Sequence, residues 1–164
     1  MNYSIVYSSR TGNTALLAKT IASTLPEADC LYCGPPGVDD EKADLIFIGF
    51  WTDKGGCDES ISAFLNSLQG KKVFLFGTAG FGGSKEYFSK ILSRIALNLD
   101  TSNELIGSYM CQGKMPSSIR TRYEAMPGKE PETARQMIAN FDQALSHPDE
   151  DDLFRLKALI KTLF

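Results

Sequence analysis

The sequence predicts an α/β fold, a parallel sheet covered by helices on both faces, and three observations carry that expectation. Leu45-Ile46-Phe47-Ile48 and Val73-Phe74-Leu75-Phe76 are continuous apolar runs, as expected of parallel strands buried on both sides. Apolar residues at helical spacing follow each run: Ile61, Phe64, Leu65 and Leu68, then Tyr87, Phe88, Ile91, Leu92 and Ile95. Strand and helix alternate at least four times along the chain, which is the pattern of one doubly covered sheet.

The remaining elements fall into place around these. Tyr3 to Ser8 reads as a short buried strand, and Leu17, Ala18, Ile21, Ala22 and Leu25 share one helix face that Pro26 closes. Residues 29–33 form a weak second strand before the Gly34-Pro35-Pro36-Gly37 loop and the acidic run Asp39-Asp40-Glu41. Leu105 to Cys111 reads as a fifth strand, and Ala134, Met137, Ile138, Phe141 and Leu145 as a helix. Gln112 to Glu130 shows no clear periodicity and carries Lys114, Arg120, Arg122 and Lys129. Structureless segments of that length tend to be functional, so it reads either as a lid or as a surface loop. Asp149 to Phe164 starts acidic and then sets Leu153, Leu156, Ile160 and Leu163 on one stripe. The organisation expected is a domain over 1–147 and a C-terminal helical appendage over 148–164, docking on this chain or on a second copy as a dimer contact.

Composition narrows the function. Apolar residues make up 43% of 164, enough for a real core, and the net charge of −3 argues against nucleic acid, which attracts a clustered basic surface. No apolar run reaches the length of a membrane span, and the N-terminus lacks a signal-peptide layout, so a cytoplasmic protein is expected. The four cysteines read as free thiols. Cys30 and Cys33 have the C-x-x-C spacing but sit in a strand, whereas a redox dithiol starts a helix. His147, the only histidine, reads as a solvated linker residue, and no nucleophile–base or paired-carboxylate arrangement is visible.

Ligands of an open parallel sheet collect at the carboxyl ends of its strands. Three segments leave strong strands there: Ser8 to Thr14, Phe50 to Glu59 and Gly77 to Lys85, each rich in Gly, Ser or Thr. The first opens directly into a helix, whose free N–H groups and dipole favour an anion. Ser9, Thr11 and Thr14 would add hydroxyl donors, and Gly12 permits close approach. Neither the nucleoside-triphosphate loop nor the dinucleotide glycine pattern occurs, since Gly80-Phe81-Gly82 meets Lys85 where a third glycine is needed. A hydroxyl-rich cradle with few cations fits a terminal phosphate monoester.

Ser9-Arg10-Thr11-Gly12-Asn13-Thr14 resembles the phosphate-loop signature of the flavodoxins, a Ser or Thr, any residue, Thr, Gly, any residue and Thr after the first strand. The resemblance implies a three-layer αβα sandwich, strand order 2-1-3-4-5, and FMN. It also implies two flavin loops. Thr78-Ala79-Gly80-Phe81-Gly82-Gly83 resembles the short-chain loop in which an aromatic, here Phe81, stacks on the ring. Trp51, Thr52, Lys54 and Gly55 match the loop on the other side, where the Lys54-Gly55 peptide is the candidate to flip toward reduced N5 and Trp51, the only tryptophan, would either shield the ring edge or serve as a core residue at the strand end. Arg10 and Lys54 depart from a site that flavodoxins keep neutral or acidic, which implies a less negative semiquinone/hydroquinone potential.

The function implied is electron transfer between redox partner proteins, a reductase and an acceptor, with acidic residues in 39–44 and at 53, 58 and 59 steering a basic partner. The alternative is an FMN-dependent reductase or oxidase of a small substrate such as a quinone, enclosed by Arg120 and Arg122. A third reading is a non-redox interaction module.

Overall fold

A computed structural model describes residues 1–37, 42–82, 84–126 and 131–164. Gly83 and the acidic Asp39, Asp40 and Glu41 therefore lie outside the described residues. Five parallel strands form one sheet: β1 (Tyr3–Tyr7), β2 (Cys30–Gly34), β3 (Leu45–Trp51), β4 (Lys72–Ala79) and β5 (Glu104–Gln112). Their order is β2-β1-β3-β4-β5, the order implied by the resemblance. In register, Ile5 lies beside Phe47 and Phe47 beside Phe74, so the long apolar runs stack across the middle of the sheet.

The pleat sorts these runs onto two faces. Val6, Ile46, Ile48, Phe50, Val73 and Leu75 meet α2 (Glu59–Ser67) and α3 (Lys85–Ala96) through Ile61, Leu65, Ile91 and Ile95. Ile5, Leu45, Phe47, Phe74 and Phe76 meet α1 (Asn13–Thr24) through Leu17 and Ile21. Helix α6 (Glu150–Lys161) shares that second face, with Leu156 and Ile160 fully buried, so the terminal helix docks on this chain. Each such side chain contributes about 1.5–3 kcal/mol by leaving water.

Between β5 and α6 the chain forms two further helices, α4 (Ser117–Glu124) and α5 (Pro131–Ala144), which pack on each other. Helix α5 is the helix expected around 134–145. Helix α4 is a correction, since the segment 112–130 carried no legible period. Its sequence SSIRTRYE is polar, and only Tyr123 in it is buried. It is anchored by Arg120, which pairs with Asp142 of α5 at 3.0 Å and with Glu124.

His147 is also corrected. Its Nδ1 lies 2.6 Å from the Asp152 carboxylate, and its carbonyl accepts from the Lys114 N–H at 2.9 Å. It joins β5, α5 and α6 instead of standing solvated. The four cysteines are free, as expected.

Candidate functional site

The carboxyl ends of β1, β3 and β4 surround a cleft of about 460 Å³. Arg10, Thr11, Asn13, Trp51, Thr52, Lys54, Gly55, Thr78, Ala79, Gly80 and Phe81, all picked out from sequence, line it. Ser9 and Gly12 instead border a shallow depression beside the cleft, Thr14 is fully buried, and Gly82 turns the chain beyond Phe81.

The three hydroxyls of the first loop divide their roles. Ser9 Oγ accepts from the Ala15 N–H at 3.1 Å and so ties the loop to α1. Thr14 Oγ1 donates to the Phe50 carbonyl at 3.0 Å and lies 3.1 Å from Thr78 Oγ1, locking the loop to β3 and β4. Thr11 lines the cleft. Gly12 stands at the N-cap of α1 with φ +90°, a conformation other residues avoid, and provides no side-chain cap. Among the described residues none accepts from the N–H groups of Asn13 and Thr14. Leading helix N–H groups without a side-chain acceptor, beside a threonine hydroxyl, are the donor set a phosphate monoester needs.

The loop after β3 is a tight hairpin. Asp53 and Gly56 exchange backbone hydrogen bonds at 2.8 and 3.0 Å, with Lys54 at φ +51° and Gly55 at φ +80° between them. Two positive φ values are what a type I′ turn requires. Flipping the Lys54-Gly55 peptide would convert it to type II′, whose first position takes glycine, and Lys54 stands there. Arg94 Nη1 donates to the Gly55 carbonyl at 3.2 Å, an atom of the following peptide.

Trp51 is half-buried in the cleft wall, with the Arg10 guanidinium 5.5 Å from its ring centroid in a cation–π contact. Asp58 behind it caps α2, accepting from the Ile61 N–H at 3.0 Å, from Ser60 at 2.7 Å and from Ser8. Burial alone would raise its pKa, but the hydrogen bonds from Ser8, Ile61, Ser60 and Trp51 outweigh that and hold the carboxyl below the usual range.

The far wall comes mainly from the segment read as a lid or a surface loop, but the sequence did not single out its lining residues. Gly113, Lys114, Met115, Pro116, Ile119, Tyr123 and Tyr87 complete the cleft. The Phe81 and Tyr123 rings lie 6.5 Å apart, and burial pushes the Tyr123 phenol pKa up. The wall is fixed by polar bonds. Asn13 Nδ2 donates to the Lys114 carbonyl at 2.8 Å, and Gln112 Nε2 and Asn140 Nδ2 donate to the Gly80 carbonyl at 3.1 and 2.8 Å. A Cβ at Gly80 would meet the Met115 side chain, which would have to move aside to admit it. An aromatic and a lysine in an otherwise unassigned stretch were the only signals available. Arg120, expected to hold an anion, is engaged by Asp142 and Glu124, and Arg122 is absent from the lining.

A family model described as flavodoxin domain matches residues 4–161. The chain belongs to the flavodoxin family. It is 39% identical over 173 residues to the flavodoxin-like domain-containing protein BilS of Clostridium symbiosum, with 93% of this chain and 90% of that protein covered. Oxidised flavodoxin 2 from Bacillus cereus superposes with TM-score 0.61 over 100% of both chains at 19% identity. Two-electron reduced Megasphaera elsdenii flavodoxin superposes with TM-score 0.50 over 85% of this chain and 98% of that one, at 25% identity. FMN is the cofactor that flavodoxin membership brings, and the donor set of the first loop and the aromatic pair over the cleft fit it.

Proposed function

We propose that this flavodoxin-family chain is an electron carrier that holds FMN in the cleft between the first loop and α4. The observation that supports it most is the joint placement of a helix start whose Asn13 and Thr14 N–H groups lack an acceptor, with Thr11, and an aromatic pair, Phe81 and Tyr123, on one cleft at the strand ends. Bound FMN supplies the redox chemistry by taking up and releasing electrons, so no protein acid or base is required. Thr11 and the N–H groups of Asn13 and Thr14 would hold the phosphate. Phe81 and Tyr123 would exclude water from the ring, and the Asp53–Gly56 hairpin would border its edge.

The chain's own charges set the direction of tuning. Among the described residues, Arg10, Lys54 and Lys114 line the cleft against the single carboxylate of Asp53. Nearby cations favour an anionic reduced ring, so the last one-electron potential should be less negative than at an acidic site. Potentiometric titration of Lys114→Gln should move that potential in the negative direction. An unmoved potential in Lys114→Gln, Arg10→Gln and Lys54→Gln alike would overturn this tuning.

Anaerobic stepwise reduction of the FMN-loaded protein, followed by absorbance, tests the carrier reading. A transient long-wavelength band midway supports it. The second reading, an FMN-dependent reductase of a small substrate such as a quinone, is favoured by the cover that Pro116, Ile119 and Tyr123 form over the cleft. Bleaching in a single phase, together with turnover of a quinone by NAD(P)H without a protein partner, would select that reading. A colourless protein that rejects FMN would refute both.

A further inference from the structure

Among the described residues, the charged side chains that line the cleft are mostly cations. At the carboxyl end, Arg10, Lys54 and Lys114 are exposed on the cleft, and among the described residues none of the three pairs with a carboxylate. Arg94 adds a fourth exposed cation where it meets Gly55. Against them stands Asp53, while Asp58 is turned inward as the cap of α2 and Glu59 lies in that helix's first turn.

Of the acidic residues expected to draw a basic partner, Asp53 alone among the described residues lines the cleft, and those at 39–41 lie outside the described residues. From this distribution we infer that the cleft rim docks the acidic face of a redox protein, with Arg10, Lys54 and Lys114 as its contacts. The inference rests on the electron-carrier reading. Phe81, which lines the cleft and is 37% exposed, supplies apolar surface of the kind a small transient interface needs. The net charge of −3 would by itself repel such a partner, so attraction must come from the local rim. It acts within a Debye length, about 8–10 Å near physiological salt, and is therefore removed by added salt.

The test uses FMN-loaded protein, reduced anaerobically and mixed in stopped flow with two one-electron protein acceptors, an acidic rubredoxin and a basic cytochrome c. One electron passes per encounter and no bond forms or breaks, so two acceptors are consumed per fully reduced flavin. The rate with rubredoxin is expected to fall about tenfold from low to high salt, while the rate with cytochrome c rises or stays flat. Lys114→Glu and Lys54→Glu should each lower the rubredoxin rate at low salt and flatten its salt dependence. As a readout independent of electron transfer, zinc-substituted rubredoxin should shift the amide resonances of residues 10–13, 52–55 and 113–116. A rubredoxin rate that rises with salt while cytochrome c slows, or shifts confined to other surfaces, would overturn the inference and leave the carrier reading standing. Failure to take up FMN would overturn both.

Discussion

Helices α4 and α6 both follow β5, yet they do opposite work. Helix α6 begins with a reciprocal cap in which Asp149 accepts from the Asp152 N–H at 2.9 Å and Asp152 accepts from the Asp149 N–H at 2.8 Å. It then buries Leu156 and Ile160 completely against the sheet. Helix α4 has no side-chain cap, buries only Tyr123, and borders the cleft. The first is built into the core, and the second is held over the site by Arg120 and by loop packing. The difference teaches that covering a sheet and covering a ligand make different demands on a helix. The first needs an apolar stripe, and the second needs a few well-placed side chains on a polar frame.

The largest effect that would separate them is on stability. Leu156→Ala removes a fully buried side chain and should cost about 2–5 kcal/mol. FMN affinity measured on the folded fraction should stay unchanged. Urea unfolding followed by circular dichroism, with FMN titration of the same protein, checks both. Near-normal stability would mean that α6 is only loosely attached.

The converse substitution is Tyr123→Leu, which keeps apolar bulk but removes the ring facing Phe81. An aromatic pair is worth about 0.5–1.5 kcal/mol beyond area, so FMN should bind roughly two- to tenfold more weakly. The unfolding midpoint should fall less than in Leu156→Ala. Flavin fluorescence titration gives the affinity, and unchanged binding would remove α4 from the flavin site.

Most of the fold was legible because the strands are long apolar runs, and a run such as Leu45 to Ile48 has no surface on which to be anything else. The site was legible in part. Phe81 and the first loop are marked by glycines and hydroxyls that a plain helix start does not require. Which way each hydroxyl points was not legible, because a threonine serves equally well facing a cleft or a neighbouring strand, and Thr14 took the strand. Helix α4 was hidden for a related reason. Its place comes from contacts distant in sequence, Met115 against Gly80 and Arg120 against Asp142, which leave no local period. His147 was misread because its partner, Asp152, becomes reachable only once α6 turns back onto β5.

A smaller contrast lies in acid. Backbone hydrogen bonding from Asp152 holds the Asp149 carboxyl below its usual range, outweighing burial, with help from His147. A carboxyl with a depressed folded pKa contributes stability that is present above its unfolded value and is lost as pH falls through its folded value. The α6 cap should therefore weaken below about pH 4. Asp149→Ala should lower stability at neutral pH and show less further loss between neutral pH and pH 3. Helix α4, lacking a carboxylate cap, should keep its amide protection relative to α5 unless the Arg120–Asp142 pair is protonated. Hydrogen exchange at pH 7 and at about pH 3 resolves the two helices. Equal loss at both would show that the caps do not distinguish them.

The smallest effect is expected on the outer side of α6, and it decides where that helix docks. Phe154 is 72% exposed, two residues from the fully buried Leu156, so the helix has one committed face. Single exposed apolar residues are ordinary on protein surfaces, and Phe154→Ser should change stability by no more than about 0.5 kcal/mol. If α6 acted as the contact of a dimer through its outer face, the same substitution would lower the mass in solution and make the wild-type unfolding midpoint depend on concentration. Light scattering of both proteins over a range of concentrations should show the same mass. A mass that halves in Phe154→Ser would mean that α6 is shared between its own sheet and a second copy, and its contrast with α4 would then rest on its inner face alone.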